Sequence, residues 1–484
     1  MNWKIISRNI GFALLVSALF MLLAVVVSII NGGDSALAAL LISFIITFLV
    51  GIFPFIFVKK AAVISLKEGY VIITLSWLLS FVFGMLPYAL WGGPFTLQNA
   101  WFESVSGFAT CGATILTEVE SLPKSLLFWR SATHFIGGLG VVVFLFLIIP
   151  ESSPMRMRLL NMELSSLSKG SYSTQTSRVV SIFAKVYLGL MVLCTLCYIL
   201  SGMGLFDALC HAMSVVATGG FSTRNTSIGA FGSKWVEFVT MVFMYLSSLH
   251  FGVLYISIIN RSIKPLTNQV MKFFTCSILI VAFILSFGIS AKVPGQSWGE
   301  SLWQSMFSTL CISSTSGFAI VDNADWPLWM MMLLMLSGIM CGSMGSTTGG
   351  IKVDRVLLFF KNVGRYVGSI LHPTSINEVR MGRRVIRDED MYPHMLFIAL
   401  YFILMLFSVM LNMMIGVDLE NSVFASISSL SNVGPATGEL GFMGSYDSLP
   451  LLSKLVLSLN MFLGRIEIYP VLACVGMIFS RRTS

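Results

Sequence analysis

Charged residues are scarce in this chain of 484 residues, because Asp, Glu, Lys and Arg together make up only 11% of it, while 56% of the residues are hydrophobic. A domain folded in water carries far more charge, so the composition excludes an ordinary soluble protein. The mean hydropathy of +0.87 predicts a polytopic membrane protein. The net charge of +8 does not indicate a nucleic-acid partner, because Lys and Arg fall in the short segments between apolar runs, where they mark membrane topology.

Residues for metal, redox and nucleotide chemistry are also few. The five histidines include no H-E-x-x-H pair, and His134, His211 and His250 predict ordinary helix contacts rather than metal ligands. Cys194 and Cys197 form a C-x-x-C inside an apolar run without a second pair, which favours free thiols over a redox or metal site. The chain has no soluble domain able to bind NAD or ATP. We therefore expect neither an enzyme nor an organic cofactor.

One short stretch occurs four times, about a hundred residues apart. It is clearest at Ala217 to Thr223, and each copy follows a long apolar run and a shorter amphipathic segment and precedes another apolar run. One glycine of each copy aligns in the same column, and we call these four residues, Gly112, Gly220, Gly317 and Gly434, the column glycines. The four loops are Thr110, Cys111 and Gly112; Thr218, Gly219 and Gly220; Thr315, Ser316 and Gly317; and Asn432, Val433 and Gly434. This order predicts long helix, half helix, narrow loop and long helix, repeated four times.

A narrow loop at membrane depth needs a special environment. Backbone that leaves the helical pattern there exposes carbonyl groups that lipid cannot satisfy, so it survives only against protein or along a water-filled path. Four such loops around one axis predict a pore in which inward-facing carbonyls replace the hydration shell of an alkali cation. Close helix packing by glycine is the alternative. Recurrence at one position of a fourfold pattern favours a filter.

The predicted helices follow this repeat. A hairpin of two helices, Ile10 to Ile30 and Leu37 to Val58, comes first, and its first run is long enough to span the membrane, which predicts a retained helix rather than a signal peptide. The other segments are Tyr70 to Leu90, Leu97 to Phe108 and Phe128 to Ile149; Val179 to Leu200, Phe206 to Val216 and Trp235 to Ile259; Phe273 to Ile289, Trp298 to Ile312 and an interrupted Leu328 to Phe360; and Met395 to Met414, Asn421 to Leu430 and Leu452 to Phe479. They give ten full crossings and four half helices that enter from outside.

We predict an all-α polytopic membrane protein with a hairpin at residues 1–66 and pore repeats at 67–160, 161–265, 266–375 and 376–484. Basic residues place the inner links and both termini in the cytoplasm. They are Lys4, Arg8, Lys59, Lys60, Lys67, Arg156, Arg158, Lys169, Arg178, Arg261, Lys264, Lys272, Arg380, Arg383, Arg384, Arg387, Arg481 and Arg482. The outer loops carry Asp34, Glu118, Glu120, Glu300, Asp322, Asp325, Asp418, Glu420, Glu439 and Asp447. These predict an acidic mouth that attracts cations, although outer loops that merely lack Lys and Arg are the alternative.

Small residues interrupt the second full crossing of the third repeat. They are Gly338, Gly342, Ser343, Gly345, Ser346, Thr347, Thr348, Gly349 and Gly350, a composition that breaks a helix. The stretch contains no G-x-x-x-x-G-K-[ST] and no G-x-S-x-G, which argues against a phosphate loop or a nucleophile elbow. We predict an intramembrane loop on the cytoplasmic side of the filter that acts as a gate. A packing kink is the alternative.

Two ionisable residues lie in the last crossing, where a charge cannot face lipid. The sequence predicts that Arg465 donates to carbonyl groups of the interrupted loop, holds it across the pore and adds a positive barrier to cations. Glu467 projects from a different side of the helix and therefore satisfies another partner. A purely structural role for Arg465 is the alternative.

Taken together, these features resemble the TrkH subunits of bacterial Trk potassium uptake systems, in the Trk/Ktr/HKT superfamily. The resemblance covers essentially the whole chain and is strongest at Phe102-Glu103-Ser104, Thr218 to Thr223 and Gly345 to Lys352. It implies one pore per chain, a homodimer in the bacterial inner membrane, and a cytosolic ring of TrkA-like nucleotide-binding subunits. It also implies that the column glycines select potassium, whereas a Ser at the first of these positions is associated with sodium transport. The resemblance further implies that Gly338 to Gly350 forms a gate and that Arg465 occludes the pore.

The chain departs from this family pattern in its loops. Cys111 stands where Thr is frequent, and Ser316 and Val433 make the ring uneven, which alters affinity more than ion identity if backbone carbonyls coordinate the ion. The regulatory nucleotide would bind the partner. The predicted docking surface is the basic inner links around Arg355, Lys361, Arg365 and Arg380 to Arg387.

The sequence therefore predicts uptake of potassium ions through a gated, channel-like pore. Inward movement of one cation gains about 2.3 kcal/mol per 100 mV of membrane potential, so no fuel site is required on this chain. The alternative is a secondary transporter, coupled to a cation or to protons or carrying an organic solute. An organic-solute site would need several buried charged side chains, and few stand out in the sequence. An intramembrane enzyme would need a nucleophile and a base, and the pairing of Ser346 with His250 has no supporting motif.

Overall fold

The computed structural model describes residues 1–58, 65–148, 176–293, 295–372, 374, 378–382 and 384–480. Helices make up most of this part, which confirms the predicted fold class. They are α1 (Trp3–Ile30), α2 (Leu37–Phe57), α3 (Leu66–Gly84), α4 (Leu86–Trp91), α5 (Leu97–Phe108), α6 (Lys124–Ile148), α7 (Thr176–Leu200), α8 (Leu205–Val216), α9 (Lys234–Ser247), α10 (Phe251–Ile259), α11 (Gln269–Lys292), α12 (Trp298–Ser313), α13 (Leu328–Met340), α14 (Val353–Leu371), α15 (Asp388–Ile415), α16 (Leu419–Ser431), α17 (Leu451–Arg465) and α18 (Tyr469–Ser480). Within the described residues the only strands are β1 (Arg380–Met381) and β2 (Arg384–Val385), an antiparallel pair in the link before α15.

The four predicted half helices are present as α5, α8, α12 and α16, and each boundary lies within two residues of the expected one. Three of them begin at a side-chain cap, because Thr96, Ser297 and Asp418 each accept a hydrogen bond from the backbone N–H three residues further on. Each cap satisfies a donor that the first helical turn leaves free. At the last of these, the hydrogen bond from the Asn421 backbone holds the pKa of the Asp418 carboxyl below its ordinary value.

The repeats contact one another in a closed order. In each repeat, the helix after the loop packs on the half helix of the next repeat. The pairs are α6 with α8, α9 with α12, α13 with α16 and, from the fourth repeat back to the first, α17 with α5. The N-terminal hairpin lies outside this circle, since α1 contacts α2, α3 and α6. The four half helices therefore surround a common centre.

Two crossings that the sequence predicts as continuous helices are broken. The segment predicted as Trp235 to Ile259 consists of α9 and α10, which meet at 102°, and the segment predicted as Leu452 to Phe479 consists of α17 and α18, which meet at 105°. The first break contains no Gly or Pro, whereas Pro470, the second residue of α18, has no N–H to continue the helix across the second break. At the second break Glu467 and Ile468 adopt positive φ angles of 62° and 45°. Hydrogen bonds to the inner loop, described below, account for the first break.

Six of the described helices are long and apolar enough to cross a membrane, or eight when each bent pair counts as one span. The two other predicted crossings correspond to α6, of 25 residues, and to the shorter α13, of 13 residues, which ends at the inner loop. Ten crossings thus stay a prediction.

Part of the topology prediction lies outside the described residues. It concerns Lys59, Lys60, Arg156, Arg158, Lys169, Arg383, Arg481 and Arg482. The cytoplasmic position of the termini and the boundaries of the five predicted segments stay predictions as well.

Candidate functional site

The four half helices end in the same way. Thr110, Thr218, Thr315 and Asn432 adopt the left-handed conformation, with φ angles of 49°, 56°, 55° and 57°. The next residue of each loop donates its N–H to the carbonyl five residues earlier, at 2.8 to 2.9 Å. This is the 6→1 bond of a Schellman cap, in which the left-handed position usually carries glycine. The repeat expected from the sequence is therefore present in the backbone.

Each column glycine packs against the next loop. Gly112, Gly220, Gly317 and Gly434 have φ angles of 85°, 92°, 67° and 100°, a region that favours glycine. A Cβ atom at Gly112 would lie 2.1 Å from the carbonyl oxygen of Gly219. The other three pairs are Gly220 with Ser316 (2.6 Å), Gly317 with Val433 (2.7 Å) and Gly434 with Cys111 (2.5 Å). These contacts run from each loop to the next and from the fourth back to the first, so the loops form a closed ring.

The backbone carbonyls of this ring have few protein partners. Among the described residues, the carbonyl oxygens of the four three-residue loops accept no hydrogen bond except that of Gly434. Buried backbone carbonyls are normally paired, so a ring of unpaired ones suits water or a cation. The part of the chain that the structure describes contains no group of three His, Cys, Asp or Glu residues that could hold a metal ion. The available shell consists of backbone oxygens, which suits an alkali cation.

A buried ion pair joins the first two loops. Arg130 Nε donates to Glu103 Oε1 at 2.8 Å, and the two side chains are 2% and 0% exposed. Glu103 also accepts from Thr114 Oγ1 at 3.0 Å and from the Ile115 N–H at 3.1 Å, just beyond the first loop. Arg130 Nη1 donates to the carbonyl of Ser222 at 3.1 Å, just beyond the second loop. The pair therefore fixes the two loops relative to each other.

The histidines make the ordinary contacts that the sequence predicts, but two of them do so at the ring. His134 Nδ1 lies 2.9 Å from Ser214 Oγ, and its ring stacks on Phe221 with centroids 4.1 Å apart. His211 Nε2 lies 2.8 Å from Ser222 Oγ. A Cβ atom at Gly219 would lie 2.2 Å from His134 Nδ1, so the histidine packs directly behind the second loop.

An outer cavity opens above the ring. It is lined by the four column glycines together with Arg130, Arg224 and Tyr446, among others, and by no carboxylate of the described residues. Three of the carboxylates expected at an acidic mouth form ion pairs instead, Glu120 with Arg224 at 3.7 Å, Glu300 with Lys234 at 2.7 Å and Asp447 with Lys454 at 3.5 Å. The prediction of an acidic mouth is therefore wrong for the lining of this cavity.

The interrupted crossing forms an inner loop from Cys341 to Lys352, between α13 and α14. Gly338 is not part of it, because the helix continues to Met340 and Gly338 packs there against Ile312 and Val433. The prediction that the loop begins at Gly338 is wrong for that reason. Gly342, Ser343, Gly345, Ser346, Thr347, Thr348, Gly349 and Gly350 do lie in it.

This inner loop contacts the inner ends of three half helices. Thr347 Oγ1 donates to the carbonyl of Val216 at 3.1 Å, and Gly349 N–H donates to Thr315 Oγ1 at 3.2 Å. A Cβ atom at Gly349 would lie 2.1 Å from the carbonyl oxygen of Ser431. The loop therefore lies directly against the ring on its inner side.

The same loop accounts for the break between α9 and α10. Ser343 N–H donates to the carbonyl of Ser248 at 2.9 Å, and Phe251 N–H donates to the carbonyl of Gly345 at 3.1 Å. These bonds replace the helical partners of residues 248–251, and His250 Nδ1 caps α10 by accepting from Gly252 N–H at 2.9 Å. No local sequence signal announces such a break, since its partners are about a hundred residues away.

Arg465 holds the inner loop, as the sequence predicts. Its Nη1 donates to the carbonyl of Thr347 at 2.5 Å and its Nη2 to the carbonyl of Gly137 in α6 at 3.0 Å, and the residue is 4% exposed. The inner loop and Arg465 together thus reach all four repeats. The guanidinium lies where the carbonyl ends of the half helices converge, a position that favours positive charge.

A second charged cluster anchors the end of the inner loop. Arg355 Nη2 pairs with Glu467 Oε2 at 2.6 Å, and Lys352 Nζ donates to the carbonyl of Thr348. Glu467 therefore has a partner other than that of Arg465, as expected, and this ion pair lies at the break between α17 and α18. Arg355 is 1% exposed, so its place in the predicted docking surface is wrong.

The expectation that few ionisable residues are buried is also wrong. Glu103, Arg130, Lys352, Asp354, Arg355, Lys454 and Arg465 are each at most 8% exposed. In the described structure each of them binds an oppositely charged side chain or a backbone group, and of these seven only Arg130 lines the outer cavity. The sequence did contain a signal for the ion pair between Glu103 and Arg130. Arg130 lies inside the apolar run Phe128 to Ile149, where a charge needs a partner within the protein.

Comparison with known proteins bears on this site. The TrkH family, described as a cation transport protein, matches residues 36–479. The chain is 32% identical to the Trk system potassium uptake protein TrkG of Escherichia coli, with 99% of each chain covered, and 30% identical to TrkH of Halomonas elongata over the whole of both chains. The crystal structure of the potassium transporter TrkH from Vibrio parahaemolyticus is 26% identical and superposes with a TM-score of 0.87, covering 98% of each chain.

Proposed function

The chain belongs to the TrkH family of cation transport proteins, and we propose that it takes up potassium ions across the bacterial inner membrane through the ring of four loops. It is a transporter and not an enzyme. An organic-solute transporter is not favoured, since each buried charge named above already binds an oppositely charged side chain or a backbone group.

The closed ring of glycines carries this proposal. Each glycine leaves room for the carbonyl of the next loop, so unpaired oxygens from all four repeats come together in one ring. Such a shell replaces the water around an alkali cation at low cost because the oxygens are held in place before the ion arrives. The residues that form it are Thr110, Cys111, Gly112, Thr218, Gly219, Gly220, Thr315, Ser316, Gly317, Asn432, Val433 and Gly434.

The inner loop acts as the gate. Gly342 to Gly350 crosses the inner side of the ring, and Arg465 holds it by hydrogen bonds to Thr347 and supplies a positive charge in the cation path. Opening requires that this guanidinium leave both of its carbonyl acceptors. Membrane potential drives the ion inward once the loop has moved.

Regulation depends on partners in this proposal. The protein forms a homodimer whose inner face binds a TrkA-like cytosolic nucleotide-binding subunit. The docking surface is smaller than the basic links suggested, because Lys361 donates to Gln269 Oε1 at 2.7 Å and Arg365 pairs with Asp388 at 2.5 Å. Arg380 is exposed although it pairs with Glu378 at 3.1 Å, and Arg387 is exposed as well, so these two residues are the proposed contact points.

The test is uptake of potassium, rubidium, sodium and lithium into proteoliposomes, with and without the nucleotide-binding partner. Wild-type protein should pass potassium and rubidium faster than sodium and lithium. Gly112→Ser should lose this preference, because its Cβ atom displaces the Gly219 carbonyl.

The matched control is Gly189→Ser, in α7, where a Cβ atom meets no atom within 4 Å. It should keep the wild-type preference. A folded wild-type protein that passes no alkali cation, even with its partner, would overturn the proposal.

A further inference from the structure

The ring is not symmetric in its hydrogen bonds. Tyr446, which is 2% exposed, donates its hydroxyl to the carbonyl oxygen of Gly434 at 2.7 Å. Within the described residues the carbonyls of Gly112, Gly220 and Gly317 accept no hydrogen bond. One of the four column glycines, Gly434, thus has a carbonyl oxygen that already accepts a hydrogen bond.

Contacts to the first repeat help to fix this tyrosine in place. Tyr446 N–H donates to the carbonyl of Thr114 at 2.8 Å, and its ring lies 5.6 Å from that of Phe102 in α5. The next residue, Asp447, accepts from Asn99 Nδ2 at 3.0 Å. Contacts to a different repeat therefore contribute to the position of the hydroxyl at Gly434.

Building on the proposed potassium pathway, we infer that Tyr446 is a specificity-determining residue for the transported cation. Its hydroxyl proton occupies one lone pair of the Gly434 carbonyl and reduces the negative potential that this oxygen presents to an ion. Among the four column-glycine carbonyls, three are then strong ligands and one is weak.

The weak ligand affects small cations more than large ones. Sodium gains more than potassium from strong oxygen ligands because it approaches them more closely, and it also loses more hydration. A carbonyl that already accepts a hydrogen bond therefore replaces less of the hydration of sodium than of potassium. The hydroxyl also prevents the carbonyl from turning inward to contact a smaller ion.

Tyr446→Phe tests this inference, because it removes the hydroxyl and keeps the ring that packs on Phe102. The ratio of initial potassium uptake to sodium uptake in proteoliposomes should fall about fivefold, which corresponds to the about 1 kcal/mol of a neutral buried hydrogen bond. Thermal stabilisation of the purified variant by KCl relative to NaCl should shrink in parallel, a readout independent of flux.

Tyr198→Phe is the matched control. Tyr198 is also fully buried, and its hydroxyl lies 2.8 Å from Thr240 Oγ1, far from the loops in sequence. This variant should lose a similar amount of stability and keep the wild-type uptake ratio. A purely structural role for Tyr446 predicts that the two variants behave alike.

The outcomes separate the two proposals. If the wild type prefers potassium and folded Tyr446→Phe keeps both the uptake ratio and the difference between the two salts, the role of Tyr446 is refuted while the proposed function stands. If the wild type passes no alkali cation, the proposed function and this inference fall together.

Discussion

The buried ion pair between Glu103 and Arg130 allows the strongest test of how the ring is held. Each partner is almost fully enclosed, and the pair carries hydrogen bonds to Thr114, Ile115 and the Ser222 carbonyl, so that it spans the first two loops. Removal of one partner leaves the other as an uncompensated buried charge. Such a loss costs about 3 to 5 kcal/mol.

We therefore expect Glu103→Gln and Arg130→Met each to lower the free energy of unfolding by about 3 to 5 kcal/mol, as measured by denaturant titration in mixed micelles. The double variant should cost clearly less than the sum of the two, because neither charge is then left alone. In proteoliposomes both single variants should also lower the preference for potassium, since the Thr114 and Ser222 contacts that fix the first two loops are lost.

The control is Glu300→Gln, which removes the ion pair between Glu300 and Lys234. Both side chains are exposed, Lys234 to 54% and Glu300 to 40%. A surface pair contributes about 0 to 1 kcal/mol, so this variant should unfold almost like the wild type. The reasoning would be refuted if the double variant lost as much free energy of unfolding as the two single variants together. Such additivity would mean that Glu103 and Arg130 contribute to stability independently of each other.

Two further predictions concern the gate. Arg465→Ala should raise potassium uptake by about tenfold or more, because it removes two charge-assisted hydrogen bonds at the inner loop. Each such bond contributes about 1.5 to 3 kcal/mol. Uptake no faster than in the wild type would show that other contacts hold the loop. Gly349→Ala should raise uptake and lower its dependence on the nucleotide-binding partner, because the new Cβ atom would lie 2.1 Å from the Ser431 carbonyl and keep the loop from seating. Gly364→Ala in α14, where a Cβ atom meets nothing within 4 Å, is its control, and equal uptake by the two variants would contradict the seating argument.

Much of the site could be predicted because its signals are local. The ends of α5, α8, α12 and α16 follow from hydropathy and from the repeated loop after each helix, and the column glycines follow from the repeat. Arg465 was identified because a charge in an apolar run must find a partner inside the protein, and that partner is the inner loop.

The remaining features depend on residues far apart in the chain. The break at residues 248–250 is made by Ser343 and Gly345, and the hydroxyl on Gly434 is placed by contacts of Tyr446 to the first repeat. No pattern within α9 or around Tyr446 contains that information, so sequence reasoning predicted a continuous helix and overlooked the tyrosine. The same holds for Arg355, which looks like a surface cation in the sequence but is buried against Glu467.

The sequence by itself determined that this chain is a membrane protein with four repeated loops, because hydrophobic runs and loop glycines act within a few residues of themselves. Only the tertiary structure decided which carbonyls face the axis and which are already engaged. A carbonyl's availability depends on whether a donor from another repeat reaches it, and that depends on how helices separated by about a hundred residues pack together.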